Sequence, residues 1–221
     1  MLFRRWFVKI DLPFQNTVAI RLRMVTRTDD RREAIIEAAT AVFREVGFGR
    51  ASMNAITARA GGSKATLYKY FGSKEELFAV AMTEAIEEQA TSLLNILLAA
   101  TEEPRLVLTR YAEGYLRLIT SPDVLALTRT AIGEGAQTSL GPMLYVRGPK
   151  RALNALVEYF GTLGDNGAIR QIDSRLAAAQ FRGLLEAGVF EPLLYGAPSE
   201  FPIEHVAQAA IDTFWGAYGR D

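Results

Sequence analysis

Cysteine is absent from this 221-residue chain, and histidine occurs once, as His205. The first absence removes disulfides, thiolate zinc sites and cysteine nucleophiles together, and fits a reducing compartment such as the cytoplasm. The second removes any multi-histidine metal site, so neither metal nor cofactor is expected. A net charge is missing as well, because 25 basic residues cancel 25 acidic ones. No run approaches the roughly 20 apolar residues of a spanning helix, and no membrane partner is expected. Near the N-terminus the longest uncharged stretch is residues 12–20, and Lys9 with Asp11 interrupts any signal-like core. What is present is ordinary for a globular protein: 49% apolar and 23% charged residues, which excludes a largely disordered chain.

The charge is unevenly spread. Residues 1–23 hold five basic groups and one acidic, residues 24–80 nine and seven, and the remainder eleven and seventeen. A basic front on an acidic body suits a chain whose N-terminal part meets a polyanion. Residues 1–25 read as an extension: a disordered leader, or the upstream side of a true start at Met24, with a basic arm reaching along DNA as the alternative. The next two segments divide as 26–75 and 76–221.

From Asp30 onward the sequence reads as consecutive helices, and the predicted fold class is all-α. A first helix runs from Asp30 to Val46, with Ile35, Ala38, Ala39, Val42 and Phe43 at helical spacing and Gly47 ending it. Ser52 is placed to cap a short helix, residues 53–60, and Gly61-Gly62-Ser63 makes a turn into another, residues 64–70. Ser73-Lys74-Glu75-Glu76 has the form of a capping box, with Glu76 reaching back, and opens a long helix to Leu98. Further helices are expected at 105–119, after Ser121-Pro122, through a broken stretch to Leu163, over 173–195 and over 202–218.

Two short helices joined by a glycine-containing turn and braced by a third make a helix-turn-helix unit. Its second helix needs an apolar side for its supports and a polar side for a groove. Leu67 and Phe71 serve the first need. Ser63, Lys64, Thr66, Tyr68 and Lys69 serve the second, offering hydroxyls and ammonium groups to phosphates and base edges.

Residues 30–78, above all the run from Ala60 to Leu77, resemble the DNA-binding domain of TetR-family transcriptional regulators. The resemblance implies a homodimer on a palindromic double-stranded DNA operator, released when a small effector enters the C-terminal domain. By position it implies that Ser52, Asn54, Tyr68 and Lys74 hold phosphates. Lys64, Ala65, Thr66 and Lys69 then face bases, Tyr68 and Tyr70 stand near the groove walls, and Ser63 caps the helix. Gly62 departs from the valine usual in the family. The segments Ser121-Pro122-Asp123-Val124, Arg147-Gly148-Pro149 and Ala177-Ala178-Ala179-Gln180-Phe181 are similar to the C-terminal domain of AefR-like regulators.

Effector candidates are the aromatics and hydroxyls of the middle domain: Tyr111, Tyr115, Thr128, Phe160 and Phe181, lining a pocket for an apolar or aromatic molecule. Dimer candidates are Leu184, Leu185, Val189, Val206, Ala210 and Phe214, on helices rich in small residues. No catalytic residue is assigned. His205 has no nucleophile nearby in sequence, turn and cap roles explain Asp165 and Asp173, and Gly47-Phe48-Gly49 lacks the third glycine of a dinucleotide fingerprint. The competing reading is a small-molecule-binding or catalytic helical protein that keeps a vestigial DNA-binding domain.

Overall fold

The computed structural model describes residues 27–98 and 102–220, so the N-terminal extension lies outside the described residues. Among them every regular element is an α-helix, apart from a lone antiparallel bridge between Ile169 and Gly219. The helix-turn-helix unit is α1 (Arg27–Arg50), α2 (Met53–Ala60) and α3 (Lys64–Tyr70). α1 leaves helical geometry at Gly47, where its apolar periodicity stops. Ser52 accepts the Ala55 N–H at 3.1 Å and Ser63 accepts the Thr66 N–H at 3.1 Å, so each short helix has the hydroxyl cap its sequence offers.

α4 (Lys74–Leu98) begins at the expected box, with a shift in one partner. Ser73 accepts the Glu76 N–H at 3.0 Å, while the Glu76 carboxylate takes the N–H of Gly72, at 2.8 Å. The rest follows as α5 (Pro104–Ile119), α6 (Pro122–Gly135), α7 (Leu140–Arg147), α8 (Pro149–Asp165), α9 (Ser174–Glu186), α10 (Phe190–Leu194) and α11 (Ile203–Tyr218). The single helix expected over 173–195 is two helices. Gly188 adopts φ +68°, and a Cβ there would stand 2.8 Å from the Phe201 ring, so the chain turns at the one residue that tolerates both.

Two apolar cores result. The first gathers Ile35, Phe43, Phe48, Ile56, Leu67, Phe71 and Phe78 from α1 to α4, with the Phe43 and Phe48 rings edge-on to Phe78 at 4.8 and 5.1 Å. It does not stop at residue 75: Leu127, Leu140 and Leu144 from α6 and α7 are part of it. The second core joins the end of α4 to α5, α8, α9 and α11 around Leu116, Phe160, Phe181 and Phe214. Each such fully buried aromatic contributes about 1.5–3 kcal/mol of transfer free energy.

Candidate nucleic-acid interface and interior cavity

α3 is anchored from one side only. Leu67 is buried at 2% exposure in the first core, and Phe71, just past the helix end, is equally buried. Lys64, Ala65, Tyr68 and Lys69 stay exposed on the other side, and the Lys64 ammonium lies 5.8 Å from the centre of the Tyr68 ring. Ser52 and Asn54, at the start of α2, are exposed too. Two positions also serve the fold. Tyr70 is half-buried and packs against the first core.

Lys74 is already engaged. Its ammonium donates to the carbonyls of Phe48 at 3.0 Å and Ala51 at 3.3 Å and sits 4.2 Å from the Phe48 ring centre. It therefore fastens the turn after Gly47 to the head of α4. Charge-assisted bonds of this kind are the stronger class.

The turn between α2 and α3 explains the unusual glycine. Gly62 adopts φ +125°, and a Cβ on it would collide with Nη2 of Arg31. That guanidinium uses the vacant space to donate from Nη1 to the Ala60 carbonyl at 3.0 Å, clipping α1 to the end of α2. Gly62→Val is therefore expected to strain the backbone and displace Arg31, at a cost of about 1–3 kcal/mol. Thermal unfolding of the full chain checks it. An unchanged or raised melting temperature would mean that Arg31 is dispensable and that a valine fills the turn as well.

The second site is a cavity of about 570 Å³ bounded by α4 to α10. Most of its wall is aliphatic, from residues such as Ile86, Leu93, Leu94, Leu118 and Ile119. One end is polar. The Tyr115 hydroxyl donates to Glu186 Oε1 at 2.5 Å, and Arg182 Nε donates to the same oxygen at 2.7 Å. Burial raises the Tyr115 phenol well above its ordinary range, and the Glu186 charge adds to that. Arg182 is held more firmly protonated than usual, its burial being outweighed by Tyr115 and Glu186.

Of the expected effector residues, the cavity includes Tyr115 and Thr128 and not Tyr111, Phe160 or Phe181. Phe160 and Phe181 have no exposed surface; in the second core Phe160 stacks on Phe214 and Phe181 meets both rings edge-on. Tyr111 lies behind Tyr115, with ring centres 5.8 Å apart, and its hydroxyl finds no partner among the described residues. Residues that sequence reading passed over supply the charged lining: Arg147 and Arg151, and on α9 the pair Arg182 and Glu186. The i,i+4 spacing of that pair on one helix was the available signal.

The expected dimer residues mostly face inward. Leu185 and Val189 have no exposed surface, Val206, Ala210 and Phe214 are buried, and only Leu184 is half-exposed. A side chain with no area to lose cannot be covered by a partner. The outward stripes of α9 and α11 are instead Leu176, Ala179, Gly183 and Ala187, and Ala209, Thr213 and Gly216.

Comparison with known proteins fits both halves. Residues 35–81 match the model of the tetR family of bacterial regulatory proteins, and residues 106–220 match the C-terminal domain of AefR-like transcriptional repressors. A solved TetR-family transcriptional regulator from Mesorhizobium loti superposes with a TM-score of 0.75 at 27% identity, over 88% of this chain and 100% of that one. The flavonoid-responsive regulator FrrA superposes with a TM-score of 0.70 at 29% identity, over 86% and 97%. The nicotine-responsive transcriptional repressor HdnoR of Paenarthrobacter nicotinovorans is 28% identical over 48% of this chain. The chain spans 54% of that repressor's length and about a third of the length of two other curated transcriptional regulators it matches. Among the described residues no helix is long and apolar enough to cross a membrane.

Proposed function

The chain belongs to the TetR family of transcriptional regulators, and from that premise we propose that it is a homodimeric, cytoplasmic repressor that leaves a palindromic operator when a small, mainly apolar or aromatic effector fills the interior cavity. The observation that carries this reading is α3: seven residues, capped by Ser63, locked down by Leu67 and turned outward through Lys64, Ala65, Tyr68 and Lys69. One such helix reads only a few base pairs, and two held about 34–36 Å apart read a palindrome.

A dimer has support of its own in α9 and α11. Gly183 and Gly216 lie inside helices, and nothing stands within 4 Å of the Cβ either would carry. A mid-helix glycine costs about 1 kcal/mol relative to alanine. The protomer gains nothing for it, whereas a second backbone packed closely against these faces would.

Signal transfer has a short route. The first turns of α4 sit in the core of the DNA-binding unit, and its middle supplies Ile86, Ala90, Leu93 and Leu94 to the cavity wall. Arg151 of α8 is tied to Glu87 of α4 at 2.7 Å. An effector that fits better when α4 swings shifts the population toward a dimer whose two α3 helices no longer match the operator.

Operator binding measured across salt concentrations tests the reading, since phosphate contacts give a steep dependence. Lys64→Ala and Lys69→Ala are expected to alter sequence preference and to leave folding intact. Lys74→Ala is expected to weaken binding to every sequence and to lower the melting temperature too, because it unfastens Phe48 and Ala51. Salt-independent or absent binding to the chain's own promoter region would end the proposal.

A further inference from the structure

The charged lining of the cavity is not in balance. Arg182 and Glu186 are paired at 2.7 Å and answer each other. Arg147 and Arg151 have no carboxylate facing them within the cavity. Together with Thr83 they also line a second hollow, of about 310 Å³, so the two spaces meet at these residues. That hollow adds Arg32 of α1 and two carboxylates of α4, Glu84 and Glu87, which stand outside the cavity lining. Over both spaces four arginines face three glutamates, which leaves one positive charge in excess. Its place is narrowed by what is already engaged. Glu87 holds Arg151 at 2.7 Å, and Arg32 lies over the Phe71 ring at 5.5 Å. Arg147 is exposed in the last turn of α7, and its side chain makes no ion pair or hydrogen bond among the described residues. A guanidinium is thus left over at the rim of a mainly aliphatic void.

We propose that the effector is an amphipathic monoacid, its apolar body inside the cavity and its single carboxylate at the rim between Arg147 and Arg151. The planar fork of a guanidinium matches a carboxylate, and two forks can share one. Both arginines are exposed, so the head group keeps part of its hydration there and avoids the full cost of burying a charge. One negative charge equals the excess. A polyphosphate head would exceed it and be repelled by Glu84 and Glu87, and an ammonium has the wrong sign. The carboxylate also competes with Glu87 for Arg151, which loosens the tie between α4 and α8 as the ligand enters. This deepens the reading of the chain as an effector-responsive regulator and rests on it for the site.

The test uses titration calorimetry of the full chain without DNA, so it fails or succeeds apart from operator binding. The probes share one body and differ in one group: para-heptylbenzoate, its methyl ester, its coenzyme A thioester and para-heptylbenzylammonium. The benzoate is expected to bind about tenfold more tightly than the ester and the other two. Arg147→Gln should cost the benzoate about fivefold and leave the ester unchanged. Glu87→Gln removes the competitor for Arg151, so in this variant the benzoate should gain about fivefold, again without the ester. Melting curves confirm that both variants are folded. An ester, thioester or ammonium that equals the benzoate on the unaltered chain overturns the inference, as does the absence of binding by the whole series. So does an Arg147→Gln chain in which benzoate and ester shift alike, or a Glu87→Gln chain in which the benzoate gains nothing. Failure of the operator assay with the benzoate still preferred would strike at the regulatory reading and spare this one.

Discussion

The Gly183→Glu substitution is expected to turn the proposed dimer into monomers and to lower operator affinity about a hundredfold or more, with the protomer no less stable than before. The protomer has room for the change. No atom lies within 4 Å of the added Cβ, the residue is solvent-facing, and its helix gains roughly 1 kcal/mol of propensity on losing a glycine. At a two-fold interface each carboxylate would be buried against its symmetry mate's surface without a counter-charge, at a cost of several kcal/mol. Analytical ultracentrifugation reads the first effect and a mobility-shift titration the second. A Gly183→Glu chain that stays dimeric would move the interface off α9.

Phe160→Ala should be the most destabilising of the changes considered, by about 3–5 kcal/mol in a denaturant titration. Phe160 is fully buried, stacked on Phe214 at 4.6 Å and edge-on to Phe181 at 5.7 Å, so truncation leaves a hole that three helices cannot close. Thr128→Val, on the cavity wall, should instead alter effector binding with little effect on the unfolding midpoint. The two profiles separate a core residue from a contact residue. If Phe160→Ala weakened effector binding at unchanged stability, Phe160 would be a cavity residue after all.

That contrast also marks how far the chain could be read before folding. The helix-turn-helix was legible because its signals are local: Ser52 and Ser63 cap within three residues, Gly47 breaks α1, and Leu67 in α3 and Phe71 just past its end stand among polar neighbours. The cavity was not, since an aromatic in an apolar helix looks the same whether it touches a void or another ring. Tyr115 and Phe160 differ only in what lies opposite them, and that is decided by long-range packing. Leu185 and Phe214 posed the same ambiguity between self-contact and partner contact. The second task of Lys74 was hidden for a related reason: its ammonium serves carbonyls 23 and 26 residues away, which no window along the chain displays.

Leu127 and Leu144 are shared walls. Each faces the cavity and each is part of the hydrophobic packing that seats the helix-turn-helix unit. Retuning the protein as a biosensor for another compound is therefore constrained: reshaping either leucine would retune DNA grip at the same time, with the two properties inherited as one trait. Leu94, Ile132 and Phe190 border the same void from outside that packing, and a library confined to them could change what is sensed without changing what is bound.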